Sequence, residues 1–334
     1  MSLASRLLLA NPGAQVSTAL TGALTTPSAK GAFNSFAAYF AGGYSVAEDS
    51  IGDIDKINFI NDTKTSLATV LTTERYSGVG FANSGTAAYF AGGWYGPSAL
   101  SAILKFDFAG ESISTIAATL TSATTGYGAA SNNGTAGYVA GGYGSGGTSL
   151  NSVDKLTYST DVKTTISAVL SAGQYGMAGA ANSGTAAYFA GGRDSGASRN
   201  VIDKIAFSAD TKSTLSATLT GARVDPNGFA NSGTAAYFAG GDDGGGIRKD
   251  GIDKIAFSAD TKSTLAATLT SVRTGHGAAS YNGVAGYFAG GADGSTYKKD
   301  IDKLVFSTET KSALPATLTL DKVGLYSAAN TGTI

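Results

Sequence analysis

The sequence lacks most of the residues on which small catalytic sites are built. Its 334 residues include no cysteine and only one histidine, His276. The absence of cysteine excludes disulfides, thiolate metal ligands and a cysteine nucleophile. A serine hydrolase triad could use the histidine, but no Gly-x-Ser-x-Gly turn lies between a strand and a helix. We therefore expect a protein that is not an enzyme and that has no cofactor and no metal site.

Charge and long apolar runs are also scarce. Charged residues make up 14% of the chain, and 23 basic against 24 acidic residues give a formal charge of −1. Such evenly spread charge provides no basic patch, so nucleic acid is not an expected partner. No apolar stretch reaches eighteen residues, and the run Leu7–Leu9 is too short for the core of a signal peptide. We therefore expect no membrane insertion.

What the sequence does contain is a long internal repeat. Apolar segments ending in a glycine pair recur every 49 or 50 residues, the best copy being Gly184–Gly192. The six glycine pairs begin at Gly42, Gly92, Gly141, Gly191, Gly240 and Gly290. A period of this length is typical of a solenoid, an array or a propeller. We interpret residues 1–334 as a single domain made of these units.

Each repeat contains four strand-like segments. In the unit from Tyr175 to Arg223, strand a is Gly176–Ala181, strand b is Ala186–Ala190, strand c is Ile202–Phe207 and strand d is Thr214–Leu219. Four antiparallel strands in about fifty residues indicate a propeller blade. The small residues of strand a suit the crowded centre of such a ring, and a β-solenoid, with its shorter coils, is the alternative fold.

The two chain ends together predict a further blade. Residues 5–10 and 16–21 align with strands c and d, whereas Gly324–Ala329 aligns with strand a and residues 330–334 with the start of strand b. Joining the ends in one blade would close the ring without a free edge. The sequence thus predicts an all-β, seven-bladed propeller with a composite seventh blade, and six blades with loose tails is the alternative.

The order of signals resembles the Kelch repeat. The nearest copy combines Arg273–Gly277 with Gly286–Gly291, and the resemblance covers residues 4 to 334. One departure is that Leu215 stands where Kelch units usually carry tryptophan in strand d. Some Kelch propellers are copper oxidases, which the lack of cysteine argues against here. The resemblance implies a propeller and a structural role for His276.

The amino-acid sequence of the repeat also resembles repeats in virion and tail-associated proteins of aquatic phages. The shared style is Tyr-Phe-Ala-Gly-Gly followed by Ile-Asp-Lys-Ile and a Ser-x-Asp-Thr-Lys turn. This resemblance implies a virion protein whose partners are other virion proteins and a glycan or protein of the host surface. A free glycan-binding lectin and a bacterial surface protein are the alternatives.

The variable parts of the repeat indicate where a partner binds. Strands alternate in direction, so the b–c loops and the d–a connections should share one face of the ring, while the copied a–b and c–d turns occupy the other. Aromatic, acidic and arginine side chains in those loops suit saccharide recognition, although solvated loop decoration is the plain alternative. The predicted binding residues are Tyr44, Trp94, Tyr95, Tyr143, Arg193, Asp194, Asp242, Asp243 and Tyr297. The repeated Asp-Lys pairs, such as Asp203-Lys204, are expected to link neighbouring blades.

Overall fold

The computed structural model describes residues 36–144 and 146–331, which belong to one compact unit. These residues form an all-β propeller of six four-stranded antiparallel sheets. In every sheet the strand order is a-b-c-d. The prediction of one domain over residues 1–334 stays a prediction, because residues 1–35 lie outside the described part.

The first three blades share this strand order. Blade 1 contains Tyr326–Asn330, Ala37–Ala41, Ile54–Asn58 and Lys64–Ser66. Blade 2 contains Val79–Asn83, Ala87–Ala91, Ala102–Asp107 and Ser112–Thr119. Blade 3 contains Gly128–Asn132, Ala136–Ala140, Val153–Thr157 and Val162–Thr165.

The other three blades repeat it. Blade 4 contains Tyr175–Asn182, Ala186–Arg193, Ile202–Ala206 and Thr211–Thr214. Blade 5 contains Asn227–Asn231, Ala235–Ala239, Gly251–Ala256 and Thr261–Thr268. Blade 6 contains Gly277–Tyr281, Ala285–Ala289, Asp300–Val305 and Thr310–Thr317. Strand d of blade 4 begins earlier than predicted, since Asp210 at φ 49° completes the turn one residue before it.

The number of blades corrects the sequence-based prediction. Strand a at the C-terminal end, Tyr326–Asn330, pairs with Ala37–Ala41 and so completes blade 1 instead of starting a seventh blade. Strand a of blade 1 contacts strand a of blades 2 and 6, so the ring closes with six. The idea that one blade joins the two chain ends is confirmed, but its composition is three early strands and one late strand. The predicted strands at residues 5–10 and 16–21 lie outside the described residues.

The interior lies between the blades, as the two-sided burial of strand b requires. Tyr188 and Phe189 point to opposite faces of blade 4, and both are fully buried. Tyr188 packs against Ile255 and Phe257 of blade 5, whereas Phe189 packs in the cluster shared with blade 3. Strand a needs small residues because neighbouring blades almost touch at the centre. A Cβ on Gly179 would lie 1.9 Å from the carbonyl oxygen of Ala129.

Charged side chains also join the blades. Tyr188 and Lys204 of blade 4 donate hydrogen bonds to Asp260 in the c–d turn of blade 5, at 2.8 and 2.7 Å. The neighbouring Asp203 is buried and accepts a hydrogen bond from the amide of Ser171 in blade 3. The prediction that the Asp-Lys pairs link neighbouring blades is confirmed.

The copied a–b turns make a second set of links that the sequence did not suggest. The side-chain oxygen of Asn182 accepts a hydrogen bond from the amide of Gly233 in the next blade, at 2.9 Å. In the same way Asn231 accepts from Gly283. The turn sequence is therefore copied for side-chain contacts between blades and not only for its backbone geometry.

Candidate functional site

The b–c loop of each blade lies against the d–a connection of the same blade. Trp94 and Tyr76, for example, exchange two backbone hydrogen bonds of 2.8 and 3.1 Å. Val224 and Asp242 do the same in blade 5. The predicted common position of both loop types is thus confirmed. We call the surface made by these loops the variable face.

The acidic residues predicted to bind a partner are used to brace their own loops. Asp194 accepts hydrogen bonds from the amides of Gly196 and Ala197, and from the Arg199 guanidinium at 2.7 Å. These donors lower the pKa of Asp194 to about 2. These donors satisfy the acceptor positions of Asp194 within the loop. Its carboxylate therefore shapes the turn and is less available to a partner.

The blade 5 loop has the same internal pairing. Asp242 accepts hydrogen bonds from the amide of Gly244 at 2.7 Å and lies 3.8 Å from Arg248. Asp243 accepts from Gly245, which together with a second backbone amide lowers its pKa. Arg193 forms backbone bridges with Tyr175 and Ser198. Most charged side chains in the b–c loops of blades 4 and 5 are therefore paired within their own loop.

Aromatic side chains from blades 6, 1 and 2 form one cluster. The ring of Tyr44 lies 5.3 Å from that of Tyr76 and 6.0 Å from that of Tyr297, at 66° and 79°. All three are partly exposed. We call this set the tyrosine cluster. Trp94 lies beside it through its backbone pairing with Tyr76, and the neighbouring Tyr95 is 47% exposed.

Tyr143 belongs to a separate aromatic pair. Its ring lies 4.9 Å from that of Tyr175, and its side chain is 41% exposed. The structure therefore brings Tyr44 and Tyr297 together, places Trp94 and Tyr95 next to them, and leaves Tyr143 with a different neighbour. Tyr76 was missed because it lies in a short d–a connection, and Tyr175 because it is the first residue of strand a; at both places the sequence offers only a single aromatic residue as a signal.

A ring of backbone hydrogen bonds surrounds the centre of the variable face. Six residues, one from each blade connection, have φ between 51° and 69°, and each amide donates to the carbonyl of the preceding member of the ring at 2.5 to 3.2 Å. They are Ser77, Gly126, Gly176, Asp225, Gly275 and Gly324. Asp225 is the charged member, and its carboxylate lies in the concave mouth of the channel. There the surrounding protein and the negative charge of Asp242 raise its pKa, although the residue is exposed to solvent.

His276 is part of the interior. It is 1% exposed, its ring packs against Phe288, and neither nitrogen has a hydrogen-bond partner in the described structure. Burial, with a contribution from Arg273, lowers its pKa to about 3, so it is neutral. It occupies the slot beside Gly240 that Tyr127 and Met177 occupy beside the equivalent glycines of other blades. The expected structural role of His276 is therefore confirmed.

Neither a metal site nor a membrane span is found in residues 36–144 and 146–331. Within those ranges, no group of three or more histidine and carboxylate side chains is placed to hold a metal ion. Over the same residues, no helix is long and apolar enough to cross a membrane.

Comparison with known proteins yields no relative by sequence. No family model matches the chain, and no curated protein matches it either. The class that the fold defines is an all-β propeller with four-stranded antiparallel blades.

Proposed function

We propose that this propeller is a non-enzymatic binding protein that holds its partner on the variable face. The observation that supports this most is the division of that face into two kinds of loop. Most charged side chains in the b–c loops of blades 4 and 5 are paired within their own loop, whereas Tyr95 and Tyr143 are exposed and the tyrosine cluster is partly so. Exposed aromatic side chains supply contact area at little cost in rotamer entropy.

The preferred setting is a phage particle, in which the propeller is a structural or receptor-facing component of the tail or capsid. This rests on the resemblance of the repeat to virion and tail-associated proteins. The partners would be other virion proteins on one side and a host-surface glycan or protein on the other. Mass spectrometry of purified particles tests the setting, and absence of the chain from the particles would contradict it.

The binding face is tested separately by the double variant Trp94→Ala with Tyr95→Ala. We expect this folded variant to lose adsorption to host cells, since Tyr95 is the most exposed aromatic side chain of the described variable face. Substitution of Thr185 by alanine, on the a–b turn face, is the control and should adsorb normally. Unchanged adsorption by the double variant would show that these two residues do not take part in recognition.

A free glycan-binding lectin and a bacterial surface protein are the alternative settings. The tyrosine cluster is as suitable for a lectin as for a virion receptor protein, so binding alone does not distinguish them. Localisation does, because a lectin or surface protein would be absent from purified particles while keeping its variable-face ligand.

A further inference from the structure

The tyrosine cluster is held in place by backbone contacts from three blades. The amide of Tyr44 donates to the carbonyl of Val323 at 2.8 Å, and the amide of Trp94 donates to that of Tyr76 at 2.8 Å. Tyr297 forms a backbone bridge with Ala292 within its own loop. The three rings are therefore preorganised by loops that pair with other segments, which reduces the entropy lost when a ligand binds.

The three rings meet edge to face. Interplanar angles of 66° and 79° mean that Tyr44 directs its edge or its face at each neighbour, and the rings do not stack on one another. Aromatic faces that are not covered by a second ring are available to the C–H groups of a bound molecule. The partial exposure of all three side chains is in keeping with this.

A carboxylate is hydrogen-bonded to the cluster. The hydroxyl of Tyr44 donates a hydrogen bond to Asp49 at 3.1 Å. This bond and the negative charge of Asp49 raise the pKa of Tyr44, while burial and Asp49 raise the pKa of Tyr76. Asp49 has φ 55° in the hairpin that joins Tyr44–Ser45 to Asp49–Ser50, so the turn holds its backbone in the left-handed region.

We propose that the tyrosine cluster and Asp49 form a binding site for an uncharged saccharide. Ring faces can contact the apolar C–H side of a sugar, and Asp49 with the phenol groups can accept or donate hydrogen bonds to its hydroxyls. The negative field of Asp49 disfavours uronic and sialic acids. This inference rests on the proposed function, because it assigns a ligand class and a place to the same variable face.

The only tryptophan of the chain makes the site measurable. Trp94 adjoins the cluster through Tyr76, so a ligand seated there should change its fluorescence. Suitable probes are a soluble neutral glucan and polygalacturonate, each titrated at millimolar sugar concentration. We expect saturable binding of the neutral glucan and no binding of polygalacturonate. No saturable change with the neutral glucan would overturn the assignment of an uncharged saccharide.

Three variants locate the site. Tyr297→Ala and Tyr44→Ala should each weaken binding of the glucan by about tenfold or more, which corresponds to the loss of one stacking contact. Asp49→Asn keeps a residue that tolerates positive φ and should weaken glucan binding less while admitting polygalacturonate. Thr185→Ala, on the a–b turn face, is the control and should bind normally, and Tyr143→Ala tests the separate aromatic pair. Thermal unfolding of each variant shows that it is folded.

The outcomes separate this inference from the proposed function. If Tyr143→Ala loses glucan binding while Tyr44→Ala and Tyr297→Ala keep it, the variable face still binds but the tyrosine cluster is the wrong place. If folded cluster variants lose adsorption to host cells although no glucan binds, the partner is a protein and the saccharide assignment fails. If no variant of the variable face changes binding or adsorption, both proposals fail.

Discussion

The amide of Ser77 donates a hydrogen bond to the carbonyl of Gly324 at 2.8 Å, and this bond joins the connection before blade 2 to the connection before blade 1. It is one of the six bonds that encircle the channel at the variable face. Gly324 has φ 69°, and a Cβ on it would lie 2.8 Å from the Ser77 hydroxyl. The ring is therefore closed twice, by strand a of blade 1 and by this circle of backbone bonds.

Deletion of residues 324–334 should open the ring. The deletion removes strand a of blade 1 and with it the buried Tyr326, whose hydroxyl donates to the carbonyl of Gly92 at 2.7 Å. Loss of a buried aromatic side chain alone costs about 3–5 kcal/mol. We expect the thermal midpoint to fall by about 10 °C or more. Deletion of residues 1–21 is the comparison, and a larger effect of that deletion would contradict closure by six blades.

Two buried arginines at the same repeat position should respond differently to substitution. Arg223 pairs with the buried Asp253 at 3.0 Å, whereas Leu104 holds the position of Asp253 in blade 2. The described contacts give Arg75 only the carbonyls of Thr73 and Ala102. Arg223→Leu takes the buried guanidinium away from Asp253, which keeps its hydrogen bonds from Thr220 and Thr264, and should cost about 2 kcal/mol.

Arg75→Leu should cost about 1 kcal/mol or less, because no buried charge is left behind. Urea denaturation of both variants gives the two free energies of unfolding. Equal costs would show that the ion pair with Asp253 contributes nothing beyond the packing of the arginine side chain.

His276 should make the protein sensitive to acid. Its pKa of about 3 in the folded state lies below the ordinary value of about 6.5 that the unfolded chain retains. Between these pH values the unfolded state binds a proton that the folded state does not bind. The stability contributed by neutral His276 is therefore present above pH 6.5 and is lost as the pH falls towards 3. His276→Leu removes this loss, and Leu325 shows that leucine fits the equivalent slot of another blade.

The measurement is the free energy of unfolding of both proteins at pH 7 and pH 5. We expect the free energy of unfolding of the variant, relative to that of the original protein, to rise by about 2 kcal/mol from pH 7 to pH 5. A constant difference would mean that His276 has the same pKa in the folded and unfolded states.

The a–b turns should contribute to stability through their asparagines. Asn182→Ala removes the acceptor for the amide of Gly233 and should cost about 1 kcal/mol. Thr185→Ala changes an exposed residue of the same turn and should stay within about 0.5 kcal/mol of the original protein. Equal losses of unfolding free energy in chemical denaturation would mean that the turn contributes to stability only through its backbone geometry.

Much of the candidate site was visible in the sequence as a pattern of variation. Tyr44, Trp94 and Tyr297 could be assigned to one face because strand direction alternates, which is a local property of hairpins. Their mutual contacts could not be predicted, since they depend on which blades become neighbours across the ring. The acidic residues Asp194 and Asp242 were predicted as binding groups, but the loop backbone folds around them and occupies their oxygens.

The sequence by itself determined the blade. The period of 49 or 50 residues, the small residues of strand a and the two-sided burial of Tyr188 and Phe189 follow from chain geometry within one unit. Only the tertiary structure decided the number of blades and the partner of the last strand. Tyr326–Asn330 matches strand a equally well in a seventh blade or in the first, because every strand b of the repeat offers it nearly the same edge. Closure of the whole ring decides which strand b it pairs with, because strand a of blade 1 must contact blades 2 and 6 at once.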